Sequence, residues 1–311
     1  MNNGSWIIVI MSSIKAYIKW IVLGVTLFFI IATFKNHWQA VTEIKINSQG
    51  WLLLLLALTV TLFAHIWSAI VWIKILQLFK QSCQYQWGLK IYLVTNIYKY
   101  LPGNVGHFYA RISAISKQGA SLSIASLSVL LEPLLMAAAA LLIALLSHSI
   151  GLIETTKNLN ILFLQCFLLI SVLVGIHPFV INRVIHFIKK EKNQDRENIY
   201  LQQYPGIILL EEIVFLLLRS SGFILALMAF VSITLQQIPM IVSAFSFAWL
   251  LGLVIPGAPG GLVVFEATII GLLETSSLPI EVVLTTIAIF RIISILAEVI
   301  GAGLGYFGLN R

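Results

Sequence analysis

Between Trp51 and Ile73 the chain runs 23 residues without one Asp, Glu, Lys or Arg. A run of that length matches the hydrocarbon core of a bilayer, which about 20 apolar helical residues cross. Comparable stretches recur at about 17–34, 121–147, 161–181, 206–232 and 280–306. The pattern therefore belongs to the whole chain and not to one anchor on a soluble head. Charged residues make up 10% of the 311, against roughly 25% in soluble domains, and the mean hydropathy is +0.99. Backbone in lipid must satisfy its own hydrogen bonds, and a helix does so within one segment. The expected fold class is an all-α polytopic membrane protein.

The net charge of +7 is explained by position. Lys and Arg collect in cytoplasmic loops, and the richest cluster is Arg183, Lys189, Lys190, Lys192 and Arg196. Placing that loop inside, with Lys15, Lys19, Lys74, Lys80 and Arg311 on the same side, puts both termini in the cytoplasm and requires no nucleic acid. Cys83 and Cys166 read as unpaired thiols. The stretch Trp6–Met11 is too short for the apolar core of a signal peptide and no small-residue cleavage site follows it. No cleavable leader is expected, and Met11 is an alternative start.

Two segments break the span pattern. Residues 87–101 are apolar but short, carry Lys90, Asn96 and Lys99, and run into Pro102-Gly103-Asn104-Val105-Gly106 before a second short helix reaches Lys117. Residues 240–255 run into Pro256-Gly257-Ala258-Pro259-Gly260-Gly261 and then a helix at about 262–274. Neither piece can span alone. They are either pairs of interfacial helices or re-entrant hairpins, which are tolerated where protein buries them or a wet cavity receives them. On the hairpin reading the turns are Pro102, Gly103 and Gly106 in the first, and Pro256, Gly257, Pro259, Gly260 and Gly261 in the second. The two Pro-Gly motifs stand 154 residues apart. The chain then divides into a half at 1–155 with a hairpin at about 87–117 and a half at 156–311 with a hairpin at about 240–274. The expectation is about six full transmembrane helices plus two re-entrant hairpins, in two halves of inverted topology, an arrangement that in transporters brackets a midplane site.

A charge at the bilayer centre costs at least about 2.5–3.5 kcal/mol, so buried ions must face protein, water or a ligand. Lys99, Arg111, Glu132, Arg219, Glu266, Arg291 and Glu298 are the candidates to line a polar groove, or alternatively to pair and hold helices together. Signs are reversed between the halves: Arg111 then Glu132 in the first, Glu266 then Arg291 in the second. Arg111 is expected to approach Glu266, and Glu132 to approach Arg291. Glu212 and Arg219 are seven apart, as are Arg291 and Glu298, and so share helix faces. No catalytic residues, metal site or cofactor are expected. Asp195 is the single Asp, and there is no HExxH, Walker A loop or GxSxG elbow.

Tyr100-Leu101-Pro102-Gly103-Asn104-Val105-Gly106 with Arg111, and Pro259-Gly260-Gly261-Leu262 with Glu266 and Arg291, resemble the two motifs of the lysylphosphatidylglycerol synthase transmembrane-region family. The resemblance covers nearly the whole chain. It implies a bacterial plasma (inner) membrane protein that handles lipid, the flippase-like part of the multiple peptide resistance factor being its best-known member. These 311 residues contain no counterpart of that factor's soluble aminoacyl-transfer domain, so lipid movement and not lysyl-lipid synthesis is implied. Val263 and Phe265 depart from the second motif, and the resemblance does not carry a substrate over. The expected function is a flippase moving a polar or anionic lipid head group through a charged groove. The second reading is a non-catalytic accessory or scaffold subunit for a membrane glycosyltransferase or lipid-modifying enzyme. Membrane lipid is the expected partner, with a membrane enzyme or a second copy of the chain left open.

Overall fold

A computed structural model describes residues 46–100, 105–149, 159–191, 200–255, 261, 264–274 and 278–308. About 85% of these are helical and none is in a strand. The helices are α1 (Ser48–Leu78), α2 (Tyr85–Asn96), α3 (Gly106–Lys117), α4 (Leu122–Ser149), α5 (Leu159–Gly175), α6 (Pro178–Glu191), α7 (Gly206–Met228), α8 (Ile238–Val254), α9 (Val264–Leu273) and α10 (Ile280–Gly303). A 3-10 turn at Ile97–Tyr100 extends α2, and a π turn at Leu304–Gly308 extends α10. The expected first span at 17–34, the outer loop with Glu154 and Lys157, and the turn residues Pro102, Gly103, Pro256, Gly257, Pro259 and Gly260 lie outside the described residues.

Three helices, starting at Ser48, Leu122 and Ile280, are long and apolar enough to cross a membrane, or four spans if the bent pair α5–α6 counts as one. The protein is thus a membrane-embedded helical bundle. Its outer surface agrees: Phe163, Phe167 and Ile170 of α5 and Leu52, Leu55 and Phe63 of α1 all point outward. α7 has the length of a span at 23 residues but carries Glu211, Glu212 and Arg219.

One expected span is corrected. The stretch 161–181 is not a continuous helix. It ends at Gly175 and restarts at Pro178, bent by 58°. Pro178 has no N–H for the Val174 carbonyl and disfavours helical backbone at His177. His177 starts the next helix instead, its Nδ1 accepting from the Phe179 N–H at 3.2 Å. Arg183, placed in a loop by sequence, therefore sits on α6, whose Ile181 and Ile185 are buried while Phe179 and Phe187 are exposed.

Helices in lipid gain little from apolar transfer and associate through close packing of small residues. α1 presents Ala57, Thr61, Ala64 and Ser68, all buried, a stripe at spacings of four, three and four. Ala57 and Thr61 meet α7, the main packing partner of α1, while Ser68 turns to Tyr92 and Glu132. A Cβ on Gly222 of α7 would come within 2.7 Å of the Thr61 hydroxyl, so the two backbones approach where both side chains are small. α4 places Ala137, Ala138, Ala139 and Ala140 inside and packs on α8 and α7. α10 packs on α1 and α2, while α3 packs on α4 and α9 on α8 and α10. Phe223, Phe245 and Phe290 meet edge-on or tilted, with centroids 5.4–5.9 Å apart, a geometry worth about 0.5–1.5 kcal/mol per pair beyond burial.

Candidate functional site: a charged cavity inside the bundle

The short helices α2, α3 and α9, with the Pro133-containing stretch of α4, cannot fill the space between the longer helices. They leave a cavity of about 110 Å³. Roughly 10–15 Å³ on this measure already admits one water, so a small polar group fits with room to spare. Every described helix except α5 and α6 contributes to its wall. Lys99, Arg111, Arg219 and Arg291 all line it, with His65, Asn96, His107 and Glu132 between them. Apolar walls come from Phe215, Trp249, Phe265 and Phe290. Of the turn residues, Gly261 lines the cavity, while Gly106 begins α3.

Arg111 is 1% exposed and Glu132 is 2% exposed. Arg111 donates from Nη1 to Glu132 at 2.8 Å and from Nε to the Thr95 hydroxyl at 3.3 Å. Its guanidinium lies 3.7 Å from the centre of the Tyr92 ring. Glu132 also accepts from the Tyr92 hydroxyl and, at 3.4 Å, from Ser68. Charge, hydrogen bonds and a π face thus compensate the desolvation of both ions, which a lone buried ion cannot achieve. Pro133, next to Glu132, removes one backbone N–H from the middle of α4 at the point where that helix borders the cavity.

Across the cavity lining, Arg291 on α10 pairs with Glu266 on α9, Nε lying 3.0 Å from the carboxylate and Nη2 also in contact. The expected cross-half pairing is therefore corrected. Arg111 is paired with Glu132 and Arg291 with Glu266, each pair joining a short helix to the long helix that follows it. Glu266 and Glu298 stand behind the cavity wall. Lys99 reaches Glu298 at 2.6 Å, and the His65 ring nitrogen lies 3.5 Å from the same carboxylate.

Arg219 is bonded differently. It is 3% exposed, donates from Nη2 to the Ser294 hydroxyl at 3.2 Å, and lies 4.9 Å from the Trp249 ring and 5.2 Å from the Phe290 ring. Its Nε and Nη1 have no hydrogen-bond partner among the described residues. Arg111 Nη2 and His107 Nδ1 are likewise unsatisfied. Buried polar atoms in native proteins are normally satisfied by protein, water or ligand, and these donors border the cavity.

His65, Asn96 and Trp249 belong to the cavity but were not among the sequence candidates. His65 stands 154 residues before Arg219, the same interval as the Pro-Gly motifs, and that spacing was the available signal. Trp249 gave none, since an aromatic in an apolar helix looks the same whether it faces lipid or a cation. Among the described residues no group of three or more His, Cys, Asp or Glu converges as a metal site would.

Fold and site together define a membrane-embedded helical protein with a cation-lined internal cavity. Compared with known proteins, the chain matches no family model and no curated sequence.

Proposed function

We propose that this protein is a flippase-like lipid transporter in which a polar or anionic head group crosses through the charged cavity while its acyl chains stay in lipid. The observation that carries the reading is the cavity itself. Four cations and Glu132 converge inside an apolar bundle, a costly arrangement that helix association alone does not require.

The two-halves reading is supported by how the helices meet. α1 corresponds to α7, α2 to α8, α3 to α9 and α4 to α10. Contacts between α4 and α8 then mirror those between α10 and α2, and α1 on α10 mirrors α7 on α4. The Arg111–Glu132 pair between α3 and α4 mirrors the Glu266–Arg291 pair between α9 and α10 with reversed sign. At 12 residues α2 and α3 each reach about 18 Å, short of the roughly 30 Å core, which suits re-entrant hairpins. On this reading the protein sits in a bacterial inner membrane with cytoplasmic termini, belongs with the lysylphosphatidylglycerol synthase transmembrane-region family, and catalyses no covalent step.

Lipid scrambling in liposomes containing the purified protein tests the transport reading. Wild type is expected to move anionic lipid between leaflets, and Arg291→Ala to slow it by about tenfold or more, since it strands Glu266 beside the cavity. Absence of scrambling for any anionic or aminoacyl lipid favours the accessory-subunit reading instead.

A further inference from the structure

We propose that the cavity binds a terminal phosphate group through the unpartnered guanidinium donors of Arg219 and Arg111. Lipid phosphate as the source rests on the transport reading above; the phosphate site itself does not.

Three of the four cavity cations already have a carboxylate: Lys99 has Glu298, Arg111 has Glu132 and Arg291 has Glu266. Arg219 has none within ion-pair distance among the described residues. Glu298 acts on it through space, but that charge is matched by Lys99. Trp249 and Phe290 hold the guanidinium plane, and Ser294 takes one end of it. What remains are Nε and Nη1, two buried donors on opposite sides of the guanidinium, without a partner among the described residues. Charged donors of this kind are met by the oxygens of an anion such as a phosphate or carboxylate.

A second buried donor without a partner among the described residues is Nη2 of Arg111, a residue that lines the same cavity. A carboxylate offers two oxygens and one charge. A terminal phosphate has three free oxygens and up to two charges, enough for both guanidinium groups. A cationic aminoacyl head group meets the surplus positive charge. The amine of a zwitterionic head group finds only Glu132 on the wall, which already accepts from Arg111, Tyr92 and Ser68.

The test is thermal unfolding of the full chain in uncharged detergent with three probes: inorganic phosphate, dihexanoyl phosphatidic acid and dihexanoyl phosphatidylcholine. Phosphatidic acid is expected to raise the wild-type midpoint and phosphatidylcholine to leave it unchanged. A shift with inorganic phosphate as well marks a site that reads the phosphate alone; a shift with phosphatidic acid only marks a lipid site. Arg219→Gln is expected to weaken binding by about tenfold or more. Arg111→Lys, which keeps the charge facing Glu132 but loses the Nη2 donor, should weaken it too, whereas Lys74→Gln, outside the cavity, should not. If Arg219→Gln does not fold, phenylglyoxal labelling of wild type substitutes, with phosphatidic acid expected to protect Arg219. The proposal is overturned if neither phosphate probe shifts wild type, if phosphatidylcholine shifts it equally, if both Arg variants bind as wild type does, or if Arg219 is not protected. Scrambling without phosphate binding sinks this site and leaves transport standing. Phosphate binding without scrambling does the reverse.

Discussion

Glu212 on α7 is fully buried, and neither carboxylate oxygen has a hydrogen-bond partner among the described residues, while its neighbour Glu211 is paired with Lys74. Leaving such a group unmet costs about 1–3 kcal/mol. Glu212→Met, similar in length and apolar, is expected to raise the thermal midpoint in detergent; a fall shows that the carboxylate has a partner in the working protein. Glu132 predicts the opposite. Glu132→Ala strands Arg111 inside the bundle and should cost about 3–5 kcal/mol. Tyr92→Phe, which removes one of three donors to Glu132, should cost about 1 kcal/mol. Equal losses would mean that Arg111 finds a second anion. Cys83, in the turn between α1 and α2, has its thiol pushed up by burial, partly offset by a backbone hydrogen bond at Gly88. A raised value means less thiolate at pH 7, so iodoacetamide should label Cys83 more slowly than free cysteine, with the rate climbing toward alkaline pH. Labelling as fast as free cysteine at pH 7 contradicts that burial.

At the scale of elements, Gly261 approaches the backbone of α8 closely beside the cavity. Gly261 has φ +71°, and a Cβ there would sit 2.9 Å from the Gly252 carbonyl oxygen. Both the left-handed backbone and the contact with main chain exclude a side chain. Gly261→Ala should cost about 1–3 kcal/mol and disturb the cavity wall, whereas Gly119→Ala, also at positive φ but with nothing within 4 Å, carries only the backbone part. Equal effects would place the strain in φ alone. The short pairs α2–α3 and α8–α9 were legible because Pro, Gly and charge interrupt apolar runs too short to span. The break at Gly175–Pro178 carried the same signal, but hydropathy ran through it on both sides and hid it.

For the molecule as a whole, apolar run length revealed the membrane-embedded character, and the energetic cost of buried charge pointed to Arg111, Glu132, Arg219 and Arg291. Their partners were not legible. Periodicity says that Glu212 and Arg219 share a face of α7, but which neighbour that face meets depends on the rotation of each helix, set by packing across the bundle. Reversed topology of the halves is tested with single cysteines in a chain whose Cys83 and Cys166 are serine. A membrane-impermeant maleimide should reach Gln118→Cys, at the outer end of α3, from the cytoplasmic face, and Glu274→Cys, just past α9, from the opposite face. Labelling of both from one face rules out inversion.

The partition of the ion pairs bears on how such a bundle can move. On the two-halves reading proposed above, Arg111–Glu132 and Arg291–Glu266 would each close within one half, so a rigid tilt of one half against the other would leave both intact. Among the described residues, the ion contacts that would span the divide are Lys99–Glu298, the His65–Glu298 contact and Lys74–Glu211. Two of these three converge on Glu298, so on that reading this one carboxylate would be the clasp of the inner seam, with Lys74 and Glu211 a separate fastening away from the cavity.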